Sequence, residues 1–72
     1  MAAAQPVRAV EALAGAFYRS PKGHVVQVID RAGDQKVCIR YRGLYGMGTR
    51  DAWIPGESPL VPAPELTDFP PS

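Results

Sequence analysis

Few side chains in this sequence carry types and spacings that could do chemistry. The one histidine, His24, stands between Ser20 and Asp30. Together they can be written as a Ser–His–Asp set, in which the imidazole would take the proton of the serine hydroxyl. Such a set would sit around one hairpin of a 72-residue chain, with no room for a pocket and an oxyanion hole, so catalysis is not expected. The one cysteine, Cys38, cannot close an intrachain disulfide. One cysteine, one histidine and scattered aspartates give no zinc-ligand spacing, so no metal or cofactor is expected. Gly43-Leu44-Tyr45-Gly46-Met47-Gly48 has the glycine density of a phosphate loop. Those loops run from a strand into a helix N-terminus and carry a lysine-serine or lysine-threonine pair. Neither feature follows here, so the segment reads as a flexible hairpin loop and a contact site.

Charge is the stronger signal. From Arg19 to Arg50 there are seven cations (Arg19, Lys22, Arg31, Lys36, Arg40, Arg42, Arg50) against Asp30 and Asp34, a net of +5. From Asp51 onward come Asp51, Glu57, Glu65 and Asp68 with no base, a net of −4. Arg8 and Glu11 cancel, which leaves +1 overall. A basic centre and an acidic tail can attract each other or face different partners. Lys36, Arg40 and Arg42, with Arg50 nearby, could hold phosphates by releasing counterions, with interleaved aromatics stacking on bases. The same row suits an acidic protein surface, and it also suits the plain task of keeping a sheet's outer face from aggregating.

The elements that must position these groups are short. Eight prolines and seven glycines leave no room for a helical bundle or a parallel α/β sheet. Met1 to Gly15 is alanine-rich, with Val7, Val10, Leu13 and Ala14 at near-helical spacing, Pro6 at a first-turn position and Gly15 beyond the end. A single helical turn or disorder is expected there. No basic residue precedes its apolar part, which Pro6, Arg8 and Glu11 interrupt, so it is not read as a secretion signal and the protein is expected to be cytoplasmic. No apolar run approaches the ~20 residues of a membrane span.

Residues 16–55 carry the β signal. Phe17–Arg19 and the β-branched His24–Asp30 read as strands separated by a Ser20-Pro21-Lys22-Gly23 turn. Arg31-Ala32-Gly33-Asp34 reads as a hairpin loop. Lys36–Arg42 alternates, with Val37, Ile39 and Tyr41 on one face and Lys36, Cys38, Arg40 and Arg42 on the other. Thr49–Ile54 is a fourth strand, ended by Pro55-Gly56. Residues 56–72 form a proline-rich acidic tail, expected to be extended and mobile because proline cannot serve a central strand. The expected fold is therefore mostly β: a small four-stranded antiparallel sheet or SH3-like barrel with a short N-terminal helix turn and a disordered tail. Phe17, Tyr41 and Trp53 are expected in the core. Tyr18, beside a turn, and Tyr45, between glycines, are expected to be exposed contacts.

Two resemblances follow from these residues. Tyr18-Arg19, Lys22-Gly23, Val26, Val28, Tyr41-Arg42, Leu44-Tyr45-Gly46 and Trp53 with Pro55 resemble a family of short bacterial domains of unknown function with the pattern Y-R-H-x-K-G, V-x-V, Y-R-x-L-Y-G and W-x-R-P. Ser20 stands where that family has histidine, and Ile54 where it has arginine. The resemblance covers about forty residues and bears on fold alone. Gly23-His24-Val25-Val26-Gln27-Val28 with Lys36-Val37-Cys38-Ile39 is similar to the hairpin of KOW and related SH3-like modules of transcription elongation factors and ribosomal proteins. That similarity implies contact with transcription machinery such as RNA polymerase.

The reading is a non-enzymatic protein-binding regulatory module, a monomer that docks on a larger protein machine in the manner of a compact phage-type regulator. Its contact residues would be Arg19, Lys22, Lys36, Arg40, Arg42 and Arg50 with Tyr18 and Tyr45. The alternative is direct nucleic-acid binding through Lys36, Arg40, Arg42 and Arg50.

Overall fold

A computed structural model describes residues 5–43 and 48–70. Tyr45 and most of the glycine loop lie outside the described residues. The architecture is mostly β, and the described residues contain no α-helix. Six strands form one antiparallel sheet: β1 (Val7–Arg8), β2 (Phe17–Arg19), β3 (Val25–Ala32), β4 (Lys36–Arg42), β5 (Thr49–Pro55) and β6 (Pro59–Pro62). Their order is β1-β6-β2-β3-β4-β5. The sheet does not close into a barrel; β1 and β5 are its margins.

The four strands expected from pattern are β2 to β5, and the sequence count of four is corrected to six. β6 lies inside the stretch expected to be a disordered tail. Its prolines occupy its first and last positions, so Leu60 and Val61 keep their N–H groups. The neighbours are staggered: β1 pairs with Pro59 and Leu60, and β2 pairs with Val61 and Pro62. Proline is tolerated because each half meets only a short ladder. The N-terminal arm holds β1 and a single 3₁₀ turn at Ala9–Glu11, in place of an α-helical turn. It is docked by backbone bonds from Ala9 N–H to the Ser58 carbonyl (2.8 Å) and from Val10 N–H to the Gly56 carbonyl (2.9 Å).

Local chemistry explains the joints. Ser20 and His24 bracket the β2–β3 turn, which Gly23 allows by adopting φ +88°. A bulge at Ile29 separates the pairs Val28–Ile39 and Asp30–Cys38, so β3 bends and shifts phase. Gly56 is buried where the β5–β6 link passes the β3–β4 hairpin. Its N–H donates to the Gln35 carbonyl at 2.7 Å, and a Cβ there would lie 2.6 Å from the Asp34 carbonyl oxygen.

The core lies on the inner face. Ala9, Tyr18, Val26, Val28, Val37, Ile39 and Leu60 form one cluster, with Val37 wholly shielded from water. The arm and β6, both outside the segment with strong strand patterning, supply two of these residues. No helix among the described residues is long and apolar enough to cross a membrane.

Candidate functional site

Strand alternation and register sort the sequence-predicted residues onto two faces. The inner row runs through Tyr18, Val26 and Val28, then Val37, Ile39 and Tyr41, then Arg50, Ala52 and Ile54. The outer row carries Phe17 and Arg19, then Gln27 and Asp30, then Lys36, Cys38, Arg40 and Arg42, then Thr49, Asp51, Trp53 and Pro55. Lys36, Arg40 and Arg42 share the outer face as expected. Arg50 does not join them: it pairs with Tyr41 and belongs to the inner side.

The cationic row is less open than its sequence suggests. Arg40 faces Asp51 across β4 and β5; its Nε donates to Oδ1 at 2.9 Å and its Nη2 to Oδ2 at 3.4 Å. This two-pronged bond raises the guanidinium pKa still further. Lys36 and Arg42 are exposed and stand at opposite ends of β4, about 20 Å apart at the usual rise per residue. Arg19 reaches Glu65 of the C-terminal segment at 3.7 Å. Lys22 is exposed in the β2–β3 turn, away from β4 and β5. Arg31, on the inner side beyond the bulge, spends Nη1 on the Val10 carbonyl at 2.9 Å.

The aromatics depart most from expectation. Tyr18 is buried, 6 % exposed. Its hydroxyl accepts the Leu13 N–H at 2.9 Å, so it ties the arm to the sheet and presents no contact surface. Trp53, expected in the core, is 52 % exposed on the outer face. It lies directly opposite Cys38 and diagonal to Lys36 and Arg40. A clue to this is present in the sequence: Asp51 and Trp53 are two apart in a strand, so burying the indole would also turn the carboxylate inward. Phe17 is on the outer face too, where Phe69 packs edge-on against it at 5.2 Å.

No family model, curated protein or solved structure matches this chain. The geometry alone bears on function.

The catalytic-looking residues are placed structurally. Ser20 Oγ accepts the backbone N–H of His24 at 3.1 Å. Asp30 lies six residues beyond His24 on β3, about 20 Å along the strand at the usual rise, and its Oδ1 accepts the Arg31 N–H at 2.7 Å. Cys38 is buried. Burial first, then the Asp51 and Asp30 carboxylates, push its thiol pKa up, which disfavours the nucleophilic thiolate. Among the described residues no three His, Cys, Asp or Glu side chains gather as a metal site. An open groove of about 520 Å³ lies between the arm and β3, lined largely by Val10–Ala14 and Val28–Arg31.

What remains is an exposed tryptophan flanked by Lys36, a closed Arg40–Asp51 pair and, further along the row, Arg42.

Proposed function

We propose that this protein is a non-enzymatic protein-binding module that docks on a larger protein assembly through the β4–β5 half of its outer face and regulates it. The observation that carries the reading is the half-exposed Trp53, set between cations on a sheet built of its own backbone bonds. Tryptophan and arginine are the residues in which interface energy concentrates. The partner patch that fits is a shallow apolar notch for the indole with carboxylates on either side for Lys36 and Arg42. The strand course, in which β6 returns to pair with β2, supports a kinship with SH3-like barrels, left open here at β5. The KOW-like hairpin sequence makes transcription machinery, RNA polymerase included, the first partner to try.

Asp51 favours protein over nucleic acid as the ligand. Its carboxylate occupies the guanidinium that would otherwise meet a phosphate, and it adds a negative charge in the middle of the row. The test uses the immobilised protein against a lysate of the source cells and against purified RNA polymerase. One protein species should be retained, and Trp53→Ala should weaken its binding about tenfold or more. A shift assay with DNA and RNA across salt is the counter-test. Tight binding whose logarithmic salt slope approaches about −0.9 per phosphate contact, with no retained protein, would replace this reading by the nucleic-acid one.

A further inference from the structure

The backbone of β5 holds information that its side chains do not. Two bonds bracket the β4–β5 ladder: Gly43 N–H donates to the Gly48 carbonyl at 2.7 Å, and Gly56 N–H donates to the Gln35 carbonyl at 2.7 Å. In an antiparallel pair, residues that exchange bonds alternate with residues that do not. Counting inward from either bracket gives the same answer. Arg50, Ala52 and Ile54 bond to Tyr41, Ile39 and Val37, whereas Thr49, Asp51 and Trp53 turn their N–H and C=O groups away from β4. No described strand pairs on that side.

Natural sheets guard such a margin with a very short strand, a bulge, a charge or a proline. The opposite margin does so, because β1 has two residues. β5 runs for seven residues and pairs with β4 without a register shift. Of its two charges, Asp51 on the outer face is already held by Arg40, and Arg50 stands on the inner side near the start of the strand. Only Pro55, its last residue, withholds a donor.

We propose that this margin is occupied by β5 of a second copy of the chain, running antiparallel about a twofold axis at Ala52, with Asp51 of each copy opposite Trp53 of the other. The groups to be satisfied are backbone donors and acceptors in an extended row, and what complements them is another extended strand. Charge selects the register. Sliding by two residues in one direction sets Asp51 opposite its own copy, and by four residues sets Arg50 opposite its own copy, both unfavourable. Sliding the other way carries the Thr49 donor past the end of the strand. In the remaining register Asp51 and Trp53 exchange two bonds in each of two symmetric pairs. Each closed Arg40–Asp51 pair then lies beside the indole of the second copy, and Ile54 faces Arg50 across the seam. Each facing pair recurs with the copies exchanged, Asp51 to Trp53 and Trp53 to Asp51, as an isologous contact requires. The dimer departs from the monomer expected from the sequence. It is independent of the docking reading, since it needs the Trp53 amide rather than the indole.

Two measurements on the full chain decide the matter. By sedimentation equilibrium, the wild-type mass should double as concentration rises through the micromolar to millimolar range. Over the same range, exchange of the Asp51 and Trp53 amides should slow about tenfold or more, while the Ala52 and Ile54 amides are protected throughout. A synthetic chain carrying N-methyl-Trp53 keeps the indole and replaces the outward donor by a methyl group. It should remain at one-chain mass, with the circular dichroism of the wild type. A one-chain mass for the wild type at every concentration overturns the proposal in favour of a strand from a different protein. A dimer that survives N-methylation, or one that leaves Asp51 and Trp53 exchange unchanged, overturns it in favour of contact elsewhere.

Discussion

The outer face of the sheet presents an aromatic and an arginine twice, and the two presentations are treated differently. On β2, Phe17 and Arg19 are both met by the chain itself: Phe69 packs on the ring and Glu65 approaches the guanidinium. On β4 and β5, Asp51 meets Arg40, but Trp53 keeps half its surface in water. The described C-terminal residues cross β2 after Ala63 N–H bonds the Phe17 carbonyl at 3.1 Å. One half of the face is thus partly sealed from within, Arg19 keeping 44 % of its side chain exposed, and the other leaves its tryptophan half exposed. Burial of an aromatic contributes to stability in the first half and is forgone at Trp53 in the second.

This contrast can be broken at its joint or sharpened at its ends. The largest effect is expected at Gly56, which links the open half to the sealed one. Gly56→Ala places a methyl 2.6 Å from the Asp34 carbonyl oxygen and should lower the unfolding free energy by about 2–3 kcal/mol in urea titration. Tyr18→Phe keeps the buried ring and removes the acceptor of the Leu13 N–H. A loss of about 1 kcal/mol is expected, with faster amide exchange at Leu13. Phe69→Ala and Trp53→Ala form a matched pair. The first should cost about 1 kcal/mol, for the lost ring contact; the second should stay within about 0.5 kcal/mol of wild type. Equal losses in thermal unfolding would erase the distinction between the halves.

The smallest effect concerns a charge that belongs to neither half. Arg8, by its hydrogen bond to Glu11 and then by its charge, holds that carboxyl below the usual carboxylate range. A lowered folded-state pKa means a stabilisation fully present above the unfolded value and lost as pH falls through the folded one. Both groups are well exposed, so the loss on acidification should be slight. Arg8→Ala should remove that part of the acid dependence and leave the neutral-pH fold intact by circular dichroism.

The legible part of the fold was the part with period-two patterning. Val37, Ile39 and Tyr41 alternating with Lys36, Cys38, Arg40 and Arg42 fixed β4 and its faces, and the flanking β-branched and turn residues fixed β3. β1 and β6 left no such trace. Two residues cannot show a period, and Pro59 and Pro62 read as breakers unless one knows that each neighbour pairs with only half of β6. The site was legible in its cations and illegible in its aromatics. Size argued that Trp53 is core, but the register with β4 decides the face, and that register is a long-range property. Likewise no local signal distinguishes Phe17, shielded by a ring fifty residues away in the chain, from Tyr18, which points inward.

The placement of β6 between β1 and β2 has a kinetic corollary. Residues 7–8 can join the sheet only after residues 59–60 are present, and β2 lacks its second neighbour until residues 61–62 arrive. A nascent chain can therefore form the β2–β3–β4–β5 meander early, but the arm docks and Tyr18 is shielded only once residues 59–62 have been made. Such late, distant pairings slow the final step of folding. During that interval β2 and β5 are both open margins, and the molecule is a four-stranded meander.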